Sequence, residues 1–349
     1  MKPWKKLTYR GRLRRMRKLA RAALANYGIA EAHFEFVRWA GNTLFRVYAP
    51  ELPATKAEEL FEQGQYLLRI HEPGYQTPEA IELELAWLAA MRRDADLPVQ
   101  EPIPALDGRL LVSIAIPEVP QSRNCSLLRW IKGRSVQHTA QLQHLRAQGR
   151  LMAQMHNFAA AWPHPPVPTK RRFDWDGLFQ NDVGSGMPNG EAWALLPASW
   201  RGPFDVVAQR VRQVMDRFGQ GPDVWGLIHG DLGVDANLLF WHGDPRPIDF
   251  DDSGYGYWIF DLATALEYCW EEASFPRYRD ALLDGYAEFR SLPEEQLAQL
   301  ELFMAACEVY WDLWATGGTH LYPYLRAEWE ERIARTAGLV VRYVERERA

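Results

Sequence analysis

Five polar residues within residues 227–263, LIHGDLGVDANLLFWHGDPRPIDFDDSGYGYWIFDLA, have the types and order that chemistry on a phosphate requires: His229, Asp231, Asn237, Asp249 and Asp261. Phosphoryl transfer to a hydroxyl needs one carboxylate to receive the acceptor's proton. It also needs an amide and a second carboxylate to hold Mg²⁺ on the phosphates of ATP. Asp231 fits the first role, and Asn237 and Asp249 the second. A lone His-Gly-Asp or Asp-Phe is common as a turn or strand cap, whereas the ordered set inside one strand-loop-hairpin unit is not. A metal-dependent phosphoesterase would need more histidine ligands than His229 and His242 provide.

The elements that must position these residues are legible nearby. Residues 224–229 form a short apolar run, a strand that delivers His229 and Asp231 into a loop. Residues 238–241 are a second apolar run, 242–245 a turn rich in Gly, Asp and Pro, and 247–250 a third strand that ends around Asp249. Such a hairpin brings Asn237 and Asp249 together. Two oxygen ligands at adjacent strand ends suit Mg²⁺, which completes its octahedron with water and phosphate oxygens.

With these residues in place, the segment resembles the catalytic core of the aminoglycoside phosphotransferase and choline kinase superfamily, which has a protein-kinase-like fold. The resemblance implies that His229 braces the catalytic loop, Asp231 is the catalytic base, Asn237 and Asp249 bind Mg²⁺, and Asp261 anchors the start of a helix. The kinase pattern places four residues between the Asp and the Asn, whereas residues 232–236 are five. Either the loop bulges by one residue or Asp235 takes part of the task.

Upstream, residues 34–39, 44–48 and 65–71 read as strands, an antiparallel start. Gly41 and Asn42 stand between the first two, where a kinase-like enzyme turns its strands over the ATP phosphates, although this is not a Gly-rich loop and an ordinary hairpin turn is the better reading of the sequence. Residues 78–92 read as a helix with Ile81, Leu85 and Leu88 on one face. In kinases the preceding strand supplies a cation to the α and β phosphates and this helix supplies the Glu that holds it. The resemblance assigns these roles to Arg69 and Glu84, with Arg in place of the usual Lys, a swap its planar fork permits. A surface ion pair is the plain alternative, and Glu82 is a second candidate partner. Residues 127–131, leading into Lys132 and Gly133, resemble the hinge between lobes, where main-chain groups around Arg129 and Ile131 would bind adenine.

A strand at 110–116, a long helix at 139–162, an irregular insertion at 170–200 and helices at 204–218, 259–271, 277–290, 294–316 and 325–347 complete the pattern. The expected fold is α+β and two-lobed, protein-kinase-like. Residues 1–126 form a small lobe with an antiparallel sheet, 127–133 a hinge, and 134–349 a mostly helical large lobe.

At 349 residues and 47% hydrophobic content the chain can bury a sizeable core. It has no apolar run of about eighteen residues and no secretory signal, so a cytoplasmic protein without a membrane partner is expected. Cys125, Cys269 and Cys307 are widely spaced, which points to reduced core residues rather than disulfides or a zinc site. The net charge of −5 hides an asymmetry: residues 1–30 hold ten Lys or Arg and no acid, leaving 30 basic against 45 acidic residues beyond them. Such a start can touch nucleic acid, lipid or an acidic partner. The lack of interleaved aromatics disfavours nucleic acid. The reading adopted is a solvated first helix that packs on the small lobe through Leu19, Ala23, Leu24 and Tyr27, with residues 1–18 dispensable.

The acceptor site is the least legible part. Glu267, Glu271, Glu272, Glu308 and Asp312 occur among the aromatics Tyr255, Trp258, Tyr268, Trp270, Tyr310, Trp311 and Trp314. Carboxylates and ring faces together hold a cation, and Glu308, Trp311 and Asp312 share a helix face. Core aromatics with solvated acids are the plain reading. The sharper one is an acceptor with an amine or quaternary ammonium, whose positive end meets Trp311 and Asp312. The function expected is ATP- and Mg²⁺-dependent phosphorylation of a small-molecule hydroxyl, on an amino alcohol, hydroxy amino acid or aminoglycoside. A Ser/Thr protein kinase of the bacterial stress-response type and an inactive nucleotide-binding scaffold are the rival readings. Nothing in the sequence sets the oligomeric state.

Overall fold

The computed structural model describes residues 3–52, 58–182, 186–321 and 326–347. The chain divides into two units, Met1–Gly133 with Val167–Thr169, and Arg134–Pro166 with Lys170–Ala349.

The first unit is built on strands β1 (His33–Ala40), β2 (Asn42–Tyr48), β3 (Phe61–Ile70), β4 (Pro102–Ile103), β5 (Val112–Ile114) and β6 (Arg123–Ile131). They form one antiparallel sheet in the order β1-β2-β3-β6-β4, with β5 also on β6. Register decides which side chains reach which face. Phe45, Leu68 and Leu127 align across three strands and point into the core. Their neighbours Leu44, Arg69 and Ser126 align on the opposite face, because side chains alternate along a strand.

Helix α1 (Tyr9–Ala25) covers the core face. Thr8 starts it, its side-chain oxygen accepting from the Gly11 N–H at 3.2 Å, a cap worth about 1 kcal/mol. Met16, Leu19, Ala20, Ala23 and Leu24 form its buried stripe, and Tyr27 closes the cluster, as the spacing predicts. The expectation that residues 1–18 are dispensable is corrected here. Met16 is 1% exposed and Trp4 and Leu13 pack on the same cluster, so the apolar stripe begins before Leu19. Helix α2 (Pro78–Ala95) starts at a second cap, Thr77 Oγ1 to the Ala80 N–H at 3.2 Å, and stops where Asp96 turns left-handed.

In the second unit, β7 (Arg134–Ser135) opens the chain and α3 (Leu142–Ala161) follows. The segment expected to be an irregular insertion is structured: β8 (Arg172–Phe173), a π-helical turn at Gly177–Asn181, α4 (Asn189–Leu195) and α5 (Ala198–Phe218). Apart from α5 these pieces are too short for a hydrophobic period to show. Then come β9 (Trp225–Ile228), β10 (Leu238–Trp241), β11 (Asp244–Pro247), β12 (Gly254–Tyr257) and α6 (Trp258–Thr264). Helices α7 (Phe275–Ala287), α8 (Glu294–Leu297), α9 (Leu300–Leu321) and α10 (Arg326–Arg346) finish it. Two three-stranded sheets, β11-β10-β7 and β8-β12-β9, flank the loop that carries Asp231. Helices α3 and α7 cross at two glycines. A Cβ on Gly149 would sit 2.0 Å from the Leu282 carbonyl oxygen, and one on Gly285 would sit 2.0 Å from that of Arg146.

Two expected boundaries move. The strand expected at 247–250 ends at Pro247, because Asp249 is left-handed (φ 64°) and Phe250–Asp252 winds into a 3₁₀ turn. The helix expected at 259–271 ends at Thr264, and a 3₁₀ turn at Glu267–Cys269 follows. All three cysteines are buried and free. Among the described residues no helix is long and apolar enough to cross a membrane.

Candidate active site

The second unit gathers all five residues of the motif. Strand β9 delivers His229 and Gly230 beneath α6, where the buried Asp261 receives them: its Oδ1 accepts from the Gly230 N–H at 2.7 Å and its Oδ2 from the His229 N–H at 3.4 Å. Asp261 Oδ2 also meets His156 Nε2 at 2.9 Å, and His156 Nδ1 meets the Tyr286 hydroxyl at 2.8 Å. Burial alone would raise the Asp261 pKa. The bond from His156, the nearby His229 and the Gly230 N–H outweigh it, so the carboxylate is held below its ordinary value. His229 Nε2 bonds to the Ile248 carbonyl at 2.9 Å, and its Nδ1 accepts from the Asp231 N–H at 3.3 Å. The imidazole thus ties the loop that carries Asp231 to the end of β11.

The longer Asp-to-Asn spacing resolves as a turn. Ala236 N–H bonds back to the Gly233 carbonyl at 3.1 Å, Gly233 bridges to Asn237, and Asn237 adopts a left-handed φ of 56°. With the extra residue absorbed there, Asn237 Nδ2 still reaches Asp231, at 2.7 Å from Oδ2 and 3.0 Å from the carbonyl. Gln148 on α3 donates to the Leu232 carbonyl at 2.6 Å and pins the other side of the loop. His242 and Gly243 turn the hairpin with positive φ at both positions, the geometry that matches strand twist. Across that hairpin Leu238 faces Pro247, and Ile248 N–H bonds to the Asn237 carbonyl at 2.9 Å, which sets Asp249 beside Asn237. Asn and Asp tolerate the left-handed region better than other side chains, and strain of this kind collects at functional sites.

These oxygens suit a divalent cation. The amide nitrogen of Asn237 is spent on Asp231, which leaves its Oδ1. The Asp249 carboxylate makes no hydrogen bond or ion pair with a described residue. Mg²⁺ uses one or two protein carboxylates and takes its other oxygens from phosphate and water. Among the described residues no cluster of three or more His, Cys, Asp or Glu could hold a metal without such help.

The carboxyl of Asp231 is pushed well above its usual range, first by burial and then by Asp252, Glu267, Asp249 and Asp235. Sequence reasoning missed the ion pairs made by one of these neighbours, Asp252. Arg171 bonds to Asp252 and lies 3.1 Å from Asp182, and Asp182 in turn accepts from Tyr310. No sequence signal marks Arg171; the parallel pairing of β8 with β12 brings it there. His156 on α3 is likewise unmarked in the sequence, and it braces Asp261.

The acids named as acceptor candidates separate. Glu308 and Asp312, one turn apart on α9, are 3% and 1% exposed. They and Glu267 are each pushed up to about 8, burial being the largest cause and mutual repulsion the next. The exception is Asp312, where the hydroxyl of Thr336 and the charge of Arg332 oppose burial before Glu267 adds to it. Asp312 Oδ1 accepts from Thr336, while its Oδ2 is buried with no hydrogen-bond partner. Trp311 packs instead with Tyr310 and Trp314, at 4.9 and 6.1 Å between ring centres. Glu271 is drawn off to Arg342.

In the first unit, Arg69 Nη2 meets Glu84 Oε1 at 2.7 Å, with both side chains almost wholly buried. Glu84, not Glu82, is the partner. Gly41 takes a left-handed φ of 65° in the turn, and Asn42 Oδ1 accepts from the Glu72 N–H at 3.0 Å, fixing that turn to the end of β3. Arg129 lies on the face opposite Arg69. Its guanidinium serves Glu51, Glu101 and the Leu52 carbonyl, and its N–H bonds to the Glu101 carbonyl at 2.9 Å. Neither its side chain nor its N–H is left for a base. Ile131 is buried opposite Phe61. The alternation puts Trp130 on the Arg69 side, where the Arg46 guanidinium sits 4.3 Å over its ring.

Residues 59–303 match the APH phosphotransferase enzyme family. The amicoumacin kinase of Bacillus subtilis (strain 168) is 24% identical over 253 residues, 71% of this chain and 66% of that protein. The structure of a microcompartment-associated aminopropanol kinase aligns with a TM-score of 0.75 at 25% identity, over 94% of this chain and 97% of the other. The amicoumacin kinase hAmiN, in complex with AMP-PNP, Ca²⁺ and Ami, aligns at 0.68 and 18% identity over 88% and 87%. The fold is thus the α+β, kinase-like one of this family, whose enzymes use a nucleoside triphosphate with a divalent metal.

Proposed function

Since the chain belongs to the APH phosphotransferase enzyme family, a kinase family that transfers phosphate to hydroxyl acceptors, we propose that its acceptor is a small hydroxylated amine and its donor MgATP. Bound Mg²⁺ would neutralise charge on the phosphates during transfer, with Asn237 Oδ1 and the Asp249 carboxylate as its protein ligands. Arg69, held by Glu84, supplies the cation for the phosphates. Asp231 takes the acceptor's proton. Its raised pKa makes it a stronger base than an exposed aspartate, closer to the working pH.

The observation that carries the amine is the acidic run leading away from Asp231. Glu267 is among the charges that raise Asp231, Glu308 raises Glu267, and Asp312 raises Glu308. Three buried carboxyls share Arg332 as countercharge, and one carboxylate oxygen of Asp312 lacks any partner. A ligand ammonium would settle that imbalance and supply N–H donors, which a quaternary ammonium lacks. Carboxylates rather than an aromatic box therefore hold the positive end, which favours a primary or secondary amine over choline. The likeness to an aminopropanol kinase supports the same class.

A matched acceptor panel tests this: aminopropanols and other amino alcohols, choline, and uncharged diols of equal size, with phosphate transfer from ATP measured. Amino alcohols should lead on kcat/KM. Equal or better use of the uncharged diols would overturn the amine.

A further inference from the structure

Some cations of α1 are used within the fold, as where Arg15 donates to the Glu118 carbonyl at 2.8 Å, and others are not. Arg10, Arg14, Arg17 and Arg21 are all exposed. At 100° per residue they fall within a stripe about 60° wide and about 17 Å long on one side of the helix. Arg21 is partly engaged, donating to the Ala30 and Ala32 carbonyls. Arg10, Arg14 and Arg17 pair with no acid or carbonyl among the described residues, unlike Lys18, which reaches Glu118 at 2.8 Å. Lys5 and Lys6 continue the positive charge beyond the helix start. There, Trp4 and Tyr9 pack against Trp39, at 6.4 and 5.6 Å between ring centres, with Tyr9 56% exposed.

We propose that this outer face of α1 docks on an anionic lipid bilayer, with Arg10, Arg14 and Arg17 against headgroup phosphates and Tyr9 at headgroup depth. Arginine forks suit phosphate oxygens, and a straight line of cations meets a plane along its whole length. The exposed Tyr9 ring at this edge suits the interface between headgroups and acyl chains, where amphipathic rings collect. A nucleic acid fits less well. The three rings meet at tilted angles rather than as a row of parallel faces for successive bases, and a single narrow stripe addresses only one side of a groove. The apolar side of α1 is locked into the core of its own unit, so the contact is electrostatic, reversible and salt-sensitive rather than an insertion. The expectation of no membrane partner rested on the lack of a spanning segment, which a surface contact does not need.

Co-sedimentation of the full-length protein with vesicles tests the proposal, using phosphatidylcholine alone and phosphatidylcholine with about a third of phosphatidylglycerol. The protein should bind only the mixed vesicles, and added salt should release it. The triple variant Arg10→Gln, Arg14→Gln, Arg17→Gln should bind about a hundredfold more weakly, roughly fivefold per cation. Its melting temperature and kinase activity should not change, because these side chains hold nothing in the fold. Tyr9→Ser should weaken binding without altering its salt dependence. Absence of binding to the mixed vesicles at low salt, or native-like binding by the triple variant, would overturn the proposal. So would displacement from the vesicles by an oligonucleotide at equal charge, which would give the stripe to nucleic acid.

Discussion

The two units settle buried acid in opposite ways. In the first, the charge of buried Glu84 is answered directly by Arg69 at 2.7 Å through one carboxylate oxygen, while Glu84 Oε2 makes no hydrogen bond. In the second, Glu267, Glu308 and Asp312 press on one another with Arg332 as their shared countercharge, and all three are pushed up to about 8. Breaking a matched pair leaves a bare charge in a low-dielectric interior, so matching fixes geometry. An unmatched cluster is costly to keep and pays for itself only when something positive arrives. The first arrangement suits holding a cation at a fixed place; the second suits receiving one.

The largest expected effect lies where the acidic run ends, at Asp231. Asp231→Asn should lower kcat by about 10³-fold, the scale of a lost general base, with ATP affinity nearly unchanged. Turnover near the native rate would remove Asp231 from the reaction. Next comes Asp249→Ala, which should abolish the Mg²⁺ dependence of ATP binding; unchanged MgATP affinity in calorimetry would show that the metal sits elsewhere.

The matched pair gives the third test. Glu84→Gln should cost about 3 kcal/mol of stability by stranding Arg69, and Arg69→Met with Glu84→Gln should cost less than the two singles together. Strict additivity in chemical denaturation would deny that they act as a unit. The unmatched cluster predicts a smaller and different response. Asp312→Asn should raise KM for an amino alcohol by about tenfold, one lost charge contact, and leave an uncharged diol untouched; an equal loss for both would make Asp312 merely structural.

The smallest effect is on stability against pH. Glu267, Glu308 and Asp312 have folded pKa values raised above those of an unfolded chain, so the folded state binds more protons between about pH 4 and 8. The stability they contribute is complete below pH 4 and lost as pH rises through 8. Thermal melts from pH 6 to 9 should fall, less steeply for Asp312→Asn, and a saturating amino alcohol should recover the loss at the alkaline end. A flat profile would mean that the cluster is already neutralised.

Some of this architecture was local enough to read from sequence. The motif residues lie within one strand-loop-hairpin segment, so their order alone predicted that His229, Asp231, Asn237, Asp249 and Asp261 would meet. The caps at Thr8 and Thr77 and the apolar period of α1 and α2 are local as well. What failed was short or distant. The pieces between β8 and α4 run two to seven residues, too few to show a period. The left-handed turn at Asp249 cut short a strand that its apolar neighbours advertised, and the apolar stripe of α1 reached back to Met16, into a segment read as mere charge.

The sequence by itself determined which reaction the second unit is equipped for, because the residue types needed for phosphoryl transfer recur in a fixed local order. Tertiary structure alone decided how their charges are balanced. Arg171 reaches Asp252 through an 81-residue separation, His156 braces Asp261 across 105, and Asp312 feels the charge of Glu267 from another element. Burial and Coulombic repulsion depend on what surrounds a group in space, and no spacing along the chain records that.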